Sequence, residues 1–407
     1  MQRWHAEFGL PIRRLGGNKG TIFAYNDELD AWMRARGRDE MGEIPEYPVP
    51  ERLNALLMRD EPVQRNEPLN YSLIPDSAKA HSAELVALAY KMWETLAYSN
   101  LTMIARLFRE AMDYDPGSAE AFAGLSFAMI AQGIWGLVRT PDAYTSAIAA
   151  LQRALEIDPE LPEAKCAESW YKMVYLRDWA GARRGFDEAL KHKPVTSRSM
   201  AGRAMLCIAE GRLPEASRLL LETAQQHPLS SSMTTWHSWN EYLSGDYANA
   251  LDQIEQFRAS GRYGPNTAAI EALAYIQVEA PNAQIERIES LAMDYRQHDI
   301  VRGALGYAYA MAGQRQTARE ILDTMTHPGR RNDSRDPYAS ALVLIGLNER
   351  QEAVKQLEQS YRNGSIWSLG FLSDPMLASL RDDPRYKLFM NKVSYPETEN
   401  SSSRQRR

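Results

Sequence analysis

One spacing recurs along this chain: a small or apolar residue, a bulky apolar residue four positions on, Ala three further, and Pro five beyond. It reads Ile104, Phe108, Ala111, Pro116, then Ala147, Leu151, Ala154, Pro159, then Ala182, Phe186, Ala189, Pro194. A fourth copy, Ala216, Leu220, Thr223, Pro228, keeps the spacing with Thr in place of Ala. The prolines fall at intervals of about 43, 35 and 34 residues, and a period of this length belongs to stacked helical hairpins. The first three residues lie on one face of a helix, and the small ones let a neighbouring helix come close. The proline ends that helix, because it has no N–H to donate and turns the preceding residue away from the α region. The spacing therefore predicts an all-α solenoid.

The helix before each of these carries its own pattern. It is clearest in Leu305-Gly306, Tyr309 and Gly313, followed by Ala318, Leu322 and Met325. This resembles the tetratricopeptide repeat, which places Leu-Gly, Tyr, Gly, Ala, a bulky residue and Ala at those offsets. By period and pattern the resemblance covers about three quarters of the chain, which implies about eight repeats.

The chain divides into four parts. Residues 1–36 are aromatic and slightly basic. Residues 37–82 hold Pro45, Pro48, Pro50, Pro62, Pro68 and Pro75 among many charges, the composition of a semi-extended linker with one helical suggestion at Leu53, Leu56 and Leu57. Residues 83–393 carry the helical pairs, and 394–407 form a polar tail expected to be disordered. The second repeat holds about nine extra residues near Gly133 to Pro141. Trp135 and Leu137 in this insertion are expected to cap the hydrophobic seam, with a contact role as the other reading. From Phe371 to Tyr386, Asp374-Pro375 and Asp383-Pro384-Arg385 rim a segment suited to closing the open end of a solenoid.

That ending, with the run Arg177-Asp178-Trp179-Ala180-Gly181-Ala182 and Phe186, resembles bacterial tetratricopeptide regulators, whose arrays commonly follow an N-terminal DNA-binding or signalling domain. Residues 1–36 fit such a place. Gln2-Arg3-Trp4 reads as a helix end, Gly9-Leu10-Pro11 as a turn, and two short strands flank Gly16-Gly17-Asn18-Lys19-Gly20, where a hairpin tip needs positive φ. Asn26 is a suitable N-cap for a helix over Glu28–Trp32. The order resembles the winged-helix part of MerR and excisionase-type domains, beginning inside the recognition helix. The resemblance implies DNA-binding roles for Gln2 and Arg3 on that helix and for Arg13, Arg14 and Lys19 on the wing. Arg and Gln can read base edges, while wing cations meet phosphates.

Catalytic signatures are missing from the sequence: there is no phosphate loop, no His-Glu-x-x-His, no Gly-x-Ser-x-Gly and no His-Arg-Asp. Of the histidines, His192, His227 and His327 stand near helix-ending prolines. His237, between Trp236 and Trp239, reads as packing. Cys166 and Cys207 have no partner at ligand spacing and read as buried thiols. The expectation is a non-enzymatic chain without metal or cofactor. A net charge of −6 argues against a chain that coats nucleic acid along its whole length. No run approaches a membrane span and no signal peptide is visible, so cytoplasm is expected.

In tetratricopeptide arrays the first helix of each pair lines a concave groove. The repeat register puts Phe127, Tyr171, Tyr175, Met205, Trp239, Tyr242, Tyr307 and Met311 there. Three readings stand: a groove for a peptide or partner helix, packing between repeats, or cover by the chain's own C-terminal segment. The expected function is a regulator whose array binds a protein or peptide while its N-terminus engages DNA, and which is free to form a homo-oligomer. The alternative is an interaction scaffold with a vestigial DNA-binding segment.

Overall fold

The protein was analysed as a computed structural model that describes residues 13–15, 21–23, 74–95, 100–138, 140–191, 195–227, 230–260, 263–278, 281–296, 298–326 and 336–393. The chain separates into two compact units, Met1–Pro68 and Leu69–Arg407. In the first, strands β1 (Arg13–Leu15) and β2 (Thr21–Phe23) pair antiparallel, with Arg13 opposite Phe23 and Leu15 opposite Thr21. The remainder of the expected winged helix, and the helical suggestion at Leu53 to Leu57, lie outside the described residues.

The second unit is a helical-hairpin solenoid of tetratricopeptide type. Its pairs are α1 (Asp76–Thr95) with α2 (Leu101–Tyr114), α3 (Ala119–Ile134) with α4 (Thr140–Ile157), and α5 (Pro162–Tyr171) with α6 (Trp179–Ala189). They continue with α7 (Ser197–Ala209) and α8 (Leu213–Gln226), α9 (Ser231–Ser244) and α10 (Tyr247–Ala259), then α11 (Pro265–Val278) and α12 (Pro281–Asp294). The last two are α13 (Asp299–Met311) with α14 (Arg315–Thr326) and α15 (Pro337–Gly346) with α16 (Arg350–Arg362). The array opens at Asp76, ahead of the expected boundary at 83. Pro75 stands at its N-terminal cap, where its carbonyl accepts from the Ala78 and Lys79 amides.

First and second helices of the pairs differ in burial, as stacking requires. Nearly every residue of α3, α7 and α15 is buried, since each is packed on several sides. Second helices such as α2 bury one face, here Leu101, Ile104, Ala105, Phe108 and Ala111, and leave the other to solvent. The recurrent spacing supplies the contacts between pairs. Phe108 of α2 lies on Gly124 of α3, and Phe186 of α6 lies on Gly202 of α7, so closely that a Cβ at either glycine would overlap the ring. Both cysteines are free and buried, and burial pushes both thiols up.

Helix starts follow the sequence closely. Ser118 accepts from the Ala121 amide at 3.2 Å, Asp178 from Gly181 at 2.8 Å and Asp246 from Asn249 at 3.2 Å. At helix ends Gly245 and Gly313 adopt φ of 84° and 82°, the left-handed geometry of a C-terminal cap. Arg177 takes that geometry without being glycine, at φ 56°, after a π-helical turn over Lys172–Leu176.

Beyond α16 come two 3-10 turns, Ile366–Gly370 and Pro375–Leu380, and then α17 (Pro384–Lys392). This terminal segment does more than close the last pair. It runs back over the first helices of earlier repeats, because a row of buried apolar side chains (Trp367, Leu369, Phe371, Leu377 and Leu380) needs cover that one pair cannot supply.

Candidate functional site

The returning segment, here called the strap, is held by polar anchors as well as by packing. Tyr144 of α4 donates to the Gly364 carbonyl at 2.9 Å across a separation of 220 residues. Arg177 Nη2 donates to Ser368 Oγ at 2.6 Å and to the Tyr361 and Ser365 carbonyls at 3.2 and 3.4 Å, while its guanidinium lies 4.6 Å from the Tyr361 ring centre. Asp374, buried, accepts from Tyr338 Oη at 2.5 Å, from Tyr242 Oη at 3.1 Å and from the Met376 amide at 3.0 Å. Burial raises its pKa, and the same cause raises that of Asp336, which accepts from Ser360 Oγ, Ser365 Oγ and the Tyr338 amide.

Between the strap and the array lies a cavity of about 490 Å³. Four remote stretches build it: the insertion of the second repeat (Ile134, Trp135, Leu137), the start of α11 (Asn266), the turn from α12 to α13 (Met293, Tyr295, His298) and the start of α15 with the strap (Asp336, Ile366, Trp367). Trp135 stands 4.9 Å from Trp236, which stands 5.9 Å from Trp239, which stands 5.6 Å from Trp367. Trp367 in turn stacks on Tyr338. This aromatic ladder fixes the two tryptophans that wall the cavity. On its polar side His298 Nε2 lies 2.6 Å from Asn266 Oδ1, and burial lowers the imidazole to about 4. Within the insertion the two expected roles divide. Trp135 packs on the seam, whereas Leu137 is 52% exposed at the cavity.

The groove residues fall into two groups. Phe127, Tyr171, Met205, Trp239 and Tyr242 are buried. Phe127 sits between Trp93 and Trp170, and Trp239 and Tyr242 meet the strap. Tyr175 and Met311 are 40% and 52% exposed, and Tyr307 is half-buried. Tyr175 extends a cluster with Tyr171 and Tyr144, at ring distances of 5.4 and 4.8 Å. Of the proposed DNA contacts, Arg13 and Arg14 belong to β1. Gln2, Arg3 and Lys19 lie outside the described residues, as do His192 and His327. His237 is buried, with Nδ1 2.7 Å from Gln253 Oε1. Sequence reasoning singled out neither Asn266 nor His298. The one available signal was the insertion, whose surplus length has to face something.

Among the described residues no group of three or more His, Cys, Asp and Glu could hold a metal ion, and no helix is long and apolar enough to cross a membrane. No protein-family model matches the chain, and no curated protein does. Solved structures with similar helical arrays include the Cut9 and Hcn1 hetero-tetramer of the APC/C, at 14% identity over 80% of this chain with a TM-score of 0.49. The match spans 57% of that protein's length. The yeast Tom70 structure matches at 12% identity over 93% of this chain and 79% of its own, with a TM-score of 0.40. A tetratricopeptide repeat protein from Parabacteroides merdae matches at 14% identity over 77% and 100%, with a TM-score of 0.31. At these scores the likenesses carry no functional argument, and the solenoid stands on the helix packing described above.

Proposed function

We propose that this chain is a regulator built on a non-enzymatic interaction module, in which the array receives a protein or peptide partner and the N-terminal segment engages DNA. The observation that carries the first half is the uneven cover of the first helices. The strap occupies Trp239 and Tyr242, whereas Tyr175 with Leu176, and Met311 with the half-buried Tyr307 one turn before it, stay open. The π-helical turn over Lys172–Leu176 leaves Tyr175 and Leu176 at the surface, and such turns recur at functional positions. A partner helix or extended peptide would bury these aromatic and thioether side chains.

The test is photo-crosslinking in the full chain, with a benzophenone side chain placed at Tyr175, at Met311, or at Trp239 as a buried control. One and the same partner should attach from the first two positions and not from the third. Adducts at neither open position would end the reading.

The DNA half is favoured by the antiparallel pairing of β1, which carries Arg13 and Arg14, with β2. It is checked by selecting bound duplexes from a random DNA pool with the full chain, then repeating with Arg3→Ala plus Lys19→Ala. Unchanged binding would remove these residues from the interface. No binding by the unaltered chain would leave the scaffold reading, with a vestigial N-terminal segment.

A further inference from the structure

We infer that the strap sets the surface at Tyr175 and Leu176: its contacts with Arg177 hold the π-helical turn that presents these two side chains. Arg177 and Ser368 are then positioning residues for whatever binds there. The use of that surface rests on the contact role proposed for Tyr175, whereas the coupling itself rests on the turn.

The turn has a shape that its own residues do not favour. A π-helical turn holds one residue more than an α-helical one and is rare in isolation. This one ends on a left-handed residue, with φ 56° and ψ 26°, where glycine is the usual occupant and a Cβ carries a steric penalty. Gly245 and Gly313 fill that place after α9 and α13, but here it is Arg177. What offsets the penalty comes from far along the chain. Arg177 Nη2 donates to Ser368 Oγ and to the Tyr361 and Ser365 carbonyls, and its guanidinium lies over the Tyr361 ring. All of these groups belong to the end of α16 or to the strap.

The strap also bears on the turn from its other side. A Cβ at Gly364 would stand 2.9 Å from the Tyr144 ring, 3.1 Å from the Val174 carbonyl oxygen and 3.5 Å from the Tyr175 ring. Tyr144, which donates to the Gly364 carbonyl, lies 4.8 Å from the Tyr175 ring. Gly364 therefore backs Val174 and Tyr175 while Ser368 holds Arg177. A turn that relaxed to α-helix would drop its surplus residue and swing the side chains about it by about 100° around the axis. Coupling of this kind is reciprocal, so a partner that binds Tyr175 steadies the strap, and a loosened strap weakens that partner.

The test needs no partner. A trifluoromethyl-phenylalanine is placed at Tyr175 in the full chain, and at Met311 in a control, and the fluorine resonance is recorded with amide exchange. Arg177→Ala should move the resonance at 175, leave that at 311 in place, and speed exchange at residues 173–178 about tenfold or more. Arg177→Gly takes up the left-handed backbone without penalty and should keep exchange within about threefold of the parent. Loss of a side chain with a packing role alone would affect both variants alike. Ser368→Ala, altered only in the strap, should move the resonance at 175 in the same direction as Arg177→Ala. If Arg177→Ala unfolds the chain, the signal at 311 moves too, and Ser368→Ala, which lacks one hydroxyl, then decides. The inference is overturned by an unmoved resonance at 175 in Ser368→Ala, or by Arg177→Gly and Arg177→Ala behaving alike. Failure to crosslink a partner at Tyr175 would end the contact reading and leave this coupling standing.

Discussion

Phe186 and Gly202 show how one residue pair sets the distance between neighbouring repeats. The ring occupies the place where a Cβ at residue 202 would stand, so α6 and α7 approach as closely as two backbones with one ring between them allow. Gly202→Ala would force the ring or the helix to move, and overpacking of this kind costs typically 1–3 kcal/mol. Phe186→Ala would open a cavity instead, at roughly 3–5 kcal/mol. The double variant is expected to be less destabilised than the sum of the two singles, because the new methyl fills part of the space the ring leaves. Urea denaturation of the four proteins checks this, and strict additivity would mean that ring and glycine do not share that space. Arg177 is a counter-example among caps, as is Asn348 at φ 60°. Its left-handed backbone would suit glycine, and its side chain is held there by the carbonyls and hydroxyl of the strap.

At the scale of elements, the spacing of Ile104, Phe108 and Ala111 and its copies made the hairpins legible, because a helix face and its end are local properties of the chain. Pairs, order and repeat number follow from them. The strap's position was not legible in the same way. Tyr144 and Gly364 are far apart in sequence, and nothing near either one names the other. An aromatic stripe such as Trp236 to Tyr242 reads alike as an open groove and as a covered seam, since both need apolar side chains at helical spacing. Only the covering segment decides between them. The cavity was hidden for the same reason, being made of four stretches that no local pattern links.

The strap also gives the fold a pH signature. Burial raises the pKa of Asp374 and of Asp336 above their ordinary value of 3.8, so the folded state holds protons that the unfolded chain has released. Over the window that opens near pH 4, these carboxyls contribute a stability that falls as pH rises and levels off once both are ionised in the fold, set against the opposite slope of His298, whose imidazole burial lowers to about 4. Asp374→Asn keeps the side chain neutral at every pH and should flatten part of this slope, leaving the share due to Asp336. Thermal midpoints recorded from pH 4 to 7 test it, and an identical slope in the variant would place the proton elsewhere.

For the array as a whole, the question is whether the strap is a removable cover or part of the fold. Seven large apolar side chains, Ile366, Trp367, Leu369, Phe371, Met376, Leu377 and Leu380, are buried in it. At about 1.5–3 kcal/mol each, their burial is worth on the order of 10–20 kcal/mol before entropy is counted. A whole domain is stable by only about 5–15 kcal/mol. Ordering the segment's backbone costs a similar amount, at about 1–2 kcal/mol per residue, so the polar anchors at Gly364, Ser368 and Asp374 are what fix the strap in place, and contacts with partners are expected on the open positions. A chain ending at Asn363 is expected to lose cooperative unfolding and to bind a hydrophobic dye, as read by calorimetry and dye fluorescence. A cooperative transition with the original midpoint would show the strap to be dispensable.

The Tyr144–Gly364 hydrogen bond has a further consequence for how the protein is made. A ribosome adding about 5–20 residues per second needs roughly ten to forty seconds to pass from one of these residues to the other. Through roughly the last half of that interval Trp236, Trp239 and Tyr242 have been made while the segment that covers them is still untranslated. The nascent chain thus passes through an open form that the finished protein does not have.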